Sequence, residues 1–563
     1  MADEILKPTR RLIIVSNELS LPPHKVVKTD SGLLKASLTP DIRANAPDLK
    51  VSAYTDDPNT SAPHIERFWA DEFQAQPEGK GIAGRSVKVD IEARPKDGEW
   101  IFGKGAPELA ATTAYVAASG VKKIAEEYLH QPVRWGDGER LTLDSYKTKS
   151  NELNAYYSST ERKVSLGHAT EAGSSWYGAT PEFDPSNPVY NLAQVPEVVA
   201  HECGHAVFDA VKGYTALSLS TRSAEVRSVN EGLADGMAFL ANLKHSDVIQ
   251  RALVETGLDL SKPNALSDLA DTVGAVFGTA GDNPDRALRS FLNTRVREPG
   301  KSYECHDGGE IVGGALYDFF LRFCQSYQAR TGSGAYQSIA VAGEVTGALF
   351  LNALKFTPDD GSLGFEDYGR GLLLADLSMN QGRHLAQLKE VVLGRGLLTA
   401  EQIEATVAQF EAWRDGEVSI PRGSILDGQK ALAERLLPTL REAYGLGDAQ
   451  LEIHRCERDK RGFLRLVFQQ PRANKAEEAA LESLNKVYGE IDRDALLSQG
   501  TFTIVFDPLG QVAGVFNQIG SATNVAINGK RGDGSPSTYS DPSLYLSDDF
   551  EIGHKDNFNH LVG

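Results

Sequence analysis

The spacing of apolar positions changes several times along the chain, and each change marks a different kind of element. Up to about residue 90, short β-branched and aromatic runs alternate with Pro- and Asp-rich turns. Arg11–Ser16, Lys50–Tyr54 and Ser86–Ile91 read as strands, and residues 1–90 as a separate β-rich module. From Ala106 to Leu129 the spacing becomes helical, with Ala110, Val116, Val121, Ile124 and Leu129 among the apolar positions. That helix leads into a β-rich lobe, bounded as residues 91–195. Helical patterning then dominates residues 196–418, where Asp235–Leu243, Ile311–Tyr327 and Ala335–Leu354 have the length and apolar content of packed helices.

Beyond about residue 419 the pattern switches once more. Lys430–Tyr444 reads as an amphipathic helix, Leu451–Cys456 and Phe463–Phe468 as strands, and Ala476–Tyr488 as another helix. Thr501–Phe506 and Val512–Phe516 flank the turn signal Asp507-Pro508-Leu509-Gly510, so a hairpin is expected there. The predicted fold class is α+β and multidomain, closing with an α+β module over residues 419–563.

Within the helical part, Val199-Ala200-His201-Glu202-Cys203-Gly204-His205 places His-Glu-x-x-His inside an apolar run. Pro196 suits a first helical turn, Val195, Val198 and Val199 supply anchoring, and Gly213 offers a stop. Residues four apart stand on one helix face, so His201 and His205 can aim two imidazole nitrogens at one metal ion. Glu202 points to the adjacent face, where a carboxylate can take a proton from water that the metal acidifies. The competing reading is a pair of hydrogen-bonded core histidines.

A catalytic zinc needs a third protein ligand and one vacant position. Glu231 and Asp235, at helical spacing beside Val229, Leu233, Met237 and Phe239, share one face of a second helix. Glu231 can complete a His/His/Glu set, and Asp235 can accept the second ring N–H of a liganding histidine. The alternative for Glu231 is a capping box with Ser228, three residues earlier.

With these motifs the chain resembles the gluzincin zinc metallopeptidases, specifically the thermolysin and fungalysin families. Asn230-Glu231-x-x-x-Asp235 is similar to the third-ligand helix of the first. The 25 residues between His205 and Glu231 are closer to the spacer of the second, which leaves membership of one or the other open. The resemblance, over roughly residues 95–415, implies a thermolysin-like two-lobe peptidase with zinc in the cleft, hydrolysing peptide bonds with Glu202 as general base. It implies further that Asn154-Ala155-Tyr156-Tyr157, followed by Lys163–Gly167, is the edge strand whose backbone pairs with an extended substrate, Asn154 and Ala155 making the contacts nearest the scissile bond. His306, ahead of the Gly-rich run into Tyr317, corresponds to the donor that steadies the tetrahedral intermediate. Here Asp307-Gly308-Gly309 replaces the family's usual Asn and Ser. Tyr214 is a second candidate donor, and Arg289 corresponds to an arginine that binds a substrate carbonyl.

Composition then narrows the class. The chain has 563 residues and 41% hydrophobic content, enough for several cores. Its net charge of −19 argues against nucleic acid and anionic membranes, which demand a basic surface. The expected partner is a peptide or protein substrate, with oligomeric state left open. An acidic surface can bind Ca2+ beside the Zn2+ site, Trp135–Glu139 and Pro358–Gly361 being the candidate loops, although neither has a complete calcium spacing and solvated acidic turns are the competing reading. Four cysteines, at 203, 305, 324 and 456, form no metal-type pairs, and Cys203 and Cys305 read as thiols. No run of 18 apolar residues is seen, so no transmembrane segment is expected. Met1–Lys7 and the short Leu12–Val15 run lack signal-peptide form, which fits a cytoplasmic protein or export by another route. Arg531-Gly532-Asp533 can be read as an adhesion tripeptide. The competing class is a catalytically silent peptide-binding or structural protein on a peptidase fold, against which the presence of Glu202 counts. An aminopeptidase would need a Gly-x-Met-Glu-Asn motif, which is absent.

Overall fold

The structure is a computed structural model that describes residues 48–55, 58, 62–69, 74–76, 81–104, 106–135, 140–148, 154–159, 161–169, 191–212, 224–270, 287–359, 363–416, 418–420, 429–447, 449–470 and 501–519. The strand expected at Arg11–Ser16, the helix expected at Ala476–Tyr488, Gly136–Glu139 of the first calcium candidate, and the Arg531-Gly532-Asp533 tripeptide lie outside the described residues. The fold is α+β and multidomain, built on two hydrophobic cores.

Strands β1 (Asp48–Ala53) and β2 (His64–Trp69) form an antiparallel pair. The short strands β3 (Gln74–Ala75) and β4 (Ile82–Ala83) lead to β5 (Val87–Asp90), followed after helix α1 (Leu109–Leu129) by β6 (Leu141–Thr148), β7 (Ala155–Ser158) and β8 (Lys163–Ala169). These six strands form one sheet in the order β3-β4-β5-β6-β8-β7, with β5 parallel to β6 and β6 parallel to β8. Parallel neighbours need a crossover, and the long apolar α1 supplies it between β5 and β6. Val87 aligns with Leu141, so the sheet is continuous across residue 90. Strand β5, which precedes residue 91, thus takes a partner that follows α1, whereas β1 pairs with β2 and β3 with β4.

Helices α2 (Pro196–Lys212), α3 (Ala224–Asn242), α4 (Ser246–Thr256), α5 (Cys305–Thr331), α6 (Ala335–Ala353), α7 (Phe365–Asn380), α8 (Leu385–Gly394) and α9 (Ala400–Asp415) follow, with the two-residue pair β9 (Asp268–Leu269) and β10 (Arg289–Ser290) between α4 and α5. Helix α2 packs on α1 and α3, and α3 on α5. The stretch Ala335–Phe356 is, contrary to expectation, long and apolar enough to cross a membrane, yet most of it is buried inside the protein. Gly343 lies against Leu243 and Gly347 against the Tyr128 ring, so this is a core helix whose apolar faces are covered by other helices.

The C-terminal part holds helix α10 (Gln429–Tyr444) and strands β11 (Glu452–Arg458), β12 (Leu464–Gln469), β13 (Thr501–Phe506) and β14 (Val512–Asn517), an antiparallel sheet in sequence order. Strand alternation gives the sheet two apolar faces. Leu464, Leu466, Phe468, Phe502, Ile504 and Phe506 pack with Leu432, Leu436 and Leu440 of α10 in the second core, whereas Phe463, Val505, Ala513 and Phe516 join the first. The sheet thus lies between its own helix and the helical part of the chain.

That contact carries buried charge. Arg455 donates to the carbonyls of Ala210 and Val211, and Arg465 to that of Val211, so two arginines from the C-terminal sheet satisfy the open end of α2. Lys212, fully buried, lies 2.9 Å from Asp359 and 2.7 Å from the Thr357 hydroxyl, and Arg465 also binds Asp359. Asp359 is one of the acidic residues of the second calcium candidate. It is buried between two cations and not in a solvated turn, and Asp360 and Gly361 of that candidate lie outside the described residues.

Candidate metal centre

Helix α2 is buried along nearly its whole length, and close approach to its neighbours sets the site. A Cβ on Gly204 would meet the Ala234 Cα at 2.7 Å, and one on Gly309 would meet the Glu231 Cβ at 2.7 Å. Only glycine allows α2, α3 and α5 to come together there, at the level of the two histidines. The start of α2 is anchored by Glu197, whose carboxylate accepts from Asn242 Nδ2 at 2.8 Å and from the Ala270 N–H at 2.9 Å. Through Ala270 the same residue ties down the β9–β10 pair that carries Arg289.

The side chains of His201, His205 and Glu231 converge, with one donor atom from each within 4.8 Å of the others. His201 Nδ1 lies 2.8 Å from Asp235 Oδ1. A carboxylate there requires the proton on Nδ1, which leaves Nε2 as the lone-pair nitrogen. That Nε2 is 3.1 Å from His205 Nε2 and 3.4 Å from Glu231 Oε2, and His205 Nε2 is 3.7 Å from Glu231 Oε1. Zinc bonds of about 2.0–2.1 Å in a tetrahedral shell put neighbouring donors about 3.3 Å apart, so this triangle fits such an ion. Glu231 Oε2 is buried with three cationic or imidazole nitrogens around it, His201 Nε2 at 3.4 Å, His306 Nε2 at 3.5 Å and Arg289 Nη1 at 3.6 Å, all longer than a good hydrogen bond.

The titration of these groups follows from their burial and from one another's charge. Burial alone would raise the Glu231 carboxyl, but His306, His205 and His201 hold it well below the usual range. Burial would lower His201, yet its bonds to Asp235 and Glu231 bring it up to about 9, whereas burial takes His205 down to about 4. Glu202 differs from Glu231. Burial, with Glu231 adding to it, lifts its carboxyl to about 7 against the pull of His201, Arg289 and His306, and its Oε2 has no hydrogen-bond partner among the described residues.

Three further residues surround the cluster. Arg289 Nη1 is 3.6 Å from Glu231 Oε2 and its Nη2 3.3 Å from Asp235 Oδ1, so in this structure its partners are the two carboxylates. His306, in the first turn of α5, turns Nε2 to within 3.5 Å of Glu231 Oε2. Glu304, the N-cap of α5, accepts from the N–H groups of His306 and Asp307 and lies 2.9 Å from His306 Nδ1. All four cysteines are free, with Cys203 buried in α2 and Cys305 half-buried next to His306.

The remaining expected residues sit elsewhere. Asn154 immediately precedes β7, which is the edge strand of the six-stranded sheet, and Ala155 opens it. The Asn154 carbonyl accepts from the Gly167 N–H and the Tyr146 hydroxyl. Strand β7 rests on α2 through a 2.9 Å bond from the Tyr157 hydroxyl to Asp209, one turn beyond His205. Tyr214 and Gly213 lie outside the described residues. Ser228 lies inside α3, which begins at Ala224, so a helix-start capping box is not what Glu231 serves. One partner escaped the reading of the sequence. Glu304 backs His306, and a Glu directly before the start of an apolar helix is the signal that marks it.

No family model matches the chain, and no curated protein is significantly similar to it. Among solved structures it is similar to the precursor of protealysin, a metalloproteinase from Serratia proteamaculans, at a TM-score of 0.34 and 15% identity, over 56% of this chain and 87% of that one. A likeness of that size is too weak to carry fold or chemistry. The candidate metal centre stands on its own residues, a buried His/His/Glu donor set beside Glu202, whose Oε2 has no hydrogen-bond partner among the described residues.

Proposed function

We propose that the chain is a zinc-dependent endopeptidase of the gluzincin type, with the site in a thermolysin-like arrangement of a β-rich lobe and a helical lobe. The observation that carries the reading is the convergence of His201, His205 and Glu231 beside the unpartnered Oε2 of Glu202. A core histidine pair would need neither Glu231 nor a spare buried carboxylate. His201, His205 and Glu231 would hold the ion. When bound, zinc supplies Lewis-acid polarisation of a substrate carbonyl and lowers the pKa of water toward about 7.

The protein's own groups do the rest. Glu202 takes the proton from the attacking water and later passes it to the leaving amine nitrogen. Asp235 holds the His201 tautomer, Arg289 pairs with Glu231 and Asp235, and in this reading Arg289 also binds a substrate carbonyl. His306, held at Nδ1 by Glu304, offers Nε2–H to the oxygen on which charge develops. Strand β7 presents a sheet edge to an extended peptide at Asn154 and Ala155.

Metal analysis together with digestion of a peptide library tests the reading. The wild-type chain should carry zinc and cut interior bonds, and Glu231→Ala should give up its zinc to micromolar chelator. Equal zinc retention in both proteins, or a zinc-loaded wild type that cleaves no peptide, would overturn it.

A further inference from the structure

We propose that Glu231, Cys305 and His306 form a second metal position beside the first, one suited to a thiophilic divalent cation such as zinc or cobalt. The inference builds on the metal reading of the neighbouring site, with which it shares Glu231. One ligand atom from each of the three residues lies within 4.8 Å of the others. Thiolate, imidazole and carboxylate together are donors that zinc and cobalt accept, whereas calcium and magnesium require oxygen.

Two imidazoles here are built alike. His201 has Asp235 on Nδ1 at 2.8 Å, and His306 has Glu304 on Nδ1 at 2.9 Å. Both turn Nε2 toward the same Glu231 Oε2, at 3.4 Å and 3.5 Å. In each case the outer carboxylate keeps a proton on Nδ1, so that loss of the proton on Nε2 to an incoming cation leaves a lone pair facing the shared oxygen, the arrangement by which metal-binding histidines are oriented. Two lone pairs aimed at a buried carboxylate repel it unless protons or cations intervene. A carboxylate has two oxygens and can serve one ion with each.

Cys305 adds the group that separates the two positions chemically. Its Sγ is 2.9 Å from Glu304 Oε1 and 3.7 Å from His306 Nδ1, and it is half-buried at the start of α5, where an ion can approach. Binding there releases the thiol proton to water, while Glu304 stays ionised to hold the His306 Nδ1 proton. Arg289, 3.6 Å from the same Glu231 oxygen, places positive charge beside both positions. The position with two imidazoles therefore fills first, and the Cys305 position at higher metal concentration. An ion bound to His306 also removes that imidazole from its role as a hydrogen-bond donor, so the two states of His306 exclude each other.

The test is cobalt titration of the full-length, metal-stripped chain, followed by absorption. Wild type should take up two equivalents, the first giving visible ligand-field bands and the second adding a near-ultraviolet thiolate-to-cobalt band. Cys305→Ser should keep the first equivalent and lose both the second and the thiolate band, with unchanged circular dichroism. His306→Ala should weaken the second equivalent by at least ~10-fold and leave the first unaffected. His205→Ala should lose the first equivalent and retain the thiolate band. A wild type that stops at one equivalent without a thiolate band through a large excess of cobalt would overturn the second position while leaving the first intact. Persistence of the band in Cys305→Ser would assign it to another cysteine and overturn it equally. No uptake in any of the proteins would remove both positions.

Discussion

His201 on α2 and Asp235 on α3 are joined through Nδ1 and Oδ1 at 2.8 Å, deep in the protein, where Asp235 is 2% exposed. The bond does more than link two helices. It commits the imidazole to one tautomer, so that Nε2 faces His205 and Glu231, and it gives a buried carboxylate a partner in addition to Arg289.

Asp235→Ala should therefore weaken zinc binding by about 10–100-fold while the His201, His205 and Glu231 ligands remain. Asp235→Asn, which keeps an acceptor oxygen, should fall between the two. Competition against a chelator of known affinity measures both. Wild-type affinity in Asp235→Ala would show that the imidazole is oriented by its helix alone.

His306→Ala should leave zinc affinity at the His201 position unchanged and reduce peptide turnover by about a hundredfold, the cost of losing one donor to a developing oxyanion. Steady-state kinetics on the zinc-loaded variant, with metal content measured in parallel, checks this. Turnover equal to wild type would move the donor role to Tyr214.

Asp359→Ala removes the only carboxylate between Lys212 and Arg465 among the described residues. Breaking a buried pair in this way costs about 3–5 kcal/mol. Urea unfolding should show the loss as a lower midpoint. A change of under about 1 kcal/mol, the size found for exposed pairs, would mean that the C-terminal sheet does not depend on this contact.

How far the site was legible in the sequence depended on how local each relationship is. The His201 and His205 pairing needs only helical spacing, and the run from Pro196 onward carries its own start signal and apolar anchoring. Glu231 and Asp235 share a face for the same reason. The hairpin around Asp507–Gly510 was equally local, its register set by the turn. What escaped was long-range. Pairing of β5 with β6 joins residues on either side of a 21-residue helix, and no pattern in Ser86–Ile91 says which strand it will meet. Arg455 reaches the end of α2 across 244 residues, and Asp359 looked like a loop acid because its two cations lie far off in sequence. The composition of Ala335–Phe356 could not say that helices rather than lipid cover it. Glu304 was visible as a residue but not as the partner of His306, since that role follows from the first turn of α5 folding back on its own N-cap.

The central claim, that His201, His205 and Glu231 hold the metal while Glu202 moves the proton, is tested most directly by Glu202→Gln with zinc content and peptide hydrolysis measured on the same sample. The substitution keeps shape and leaves the ligands untouched. Zinc should stay at the wild-type level and hydrolysis should fall by at least about a hundredfold, because the amide cannot accept the proton. A zinc-loaded Glu202→Gln protein that hydrolyses peptides at the wild-type rate would contradict the account.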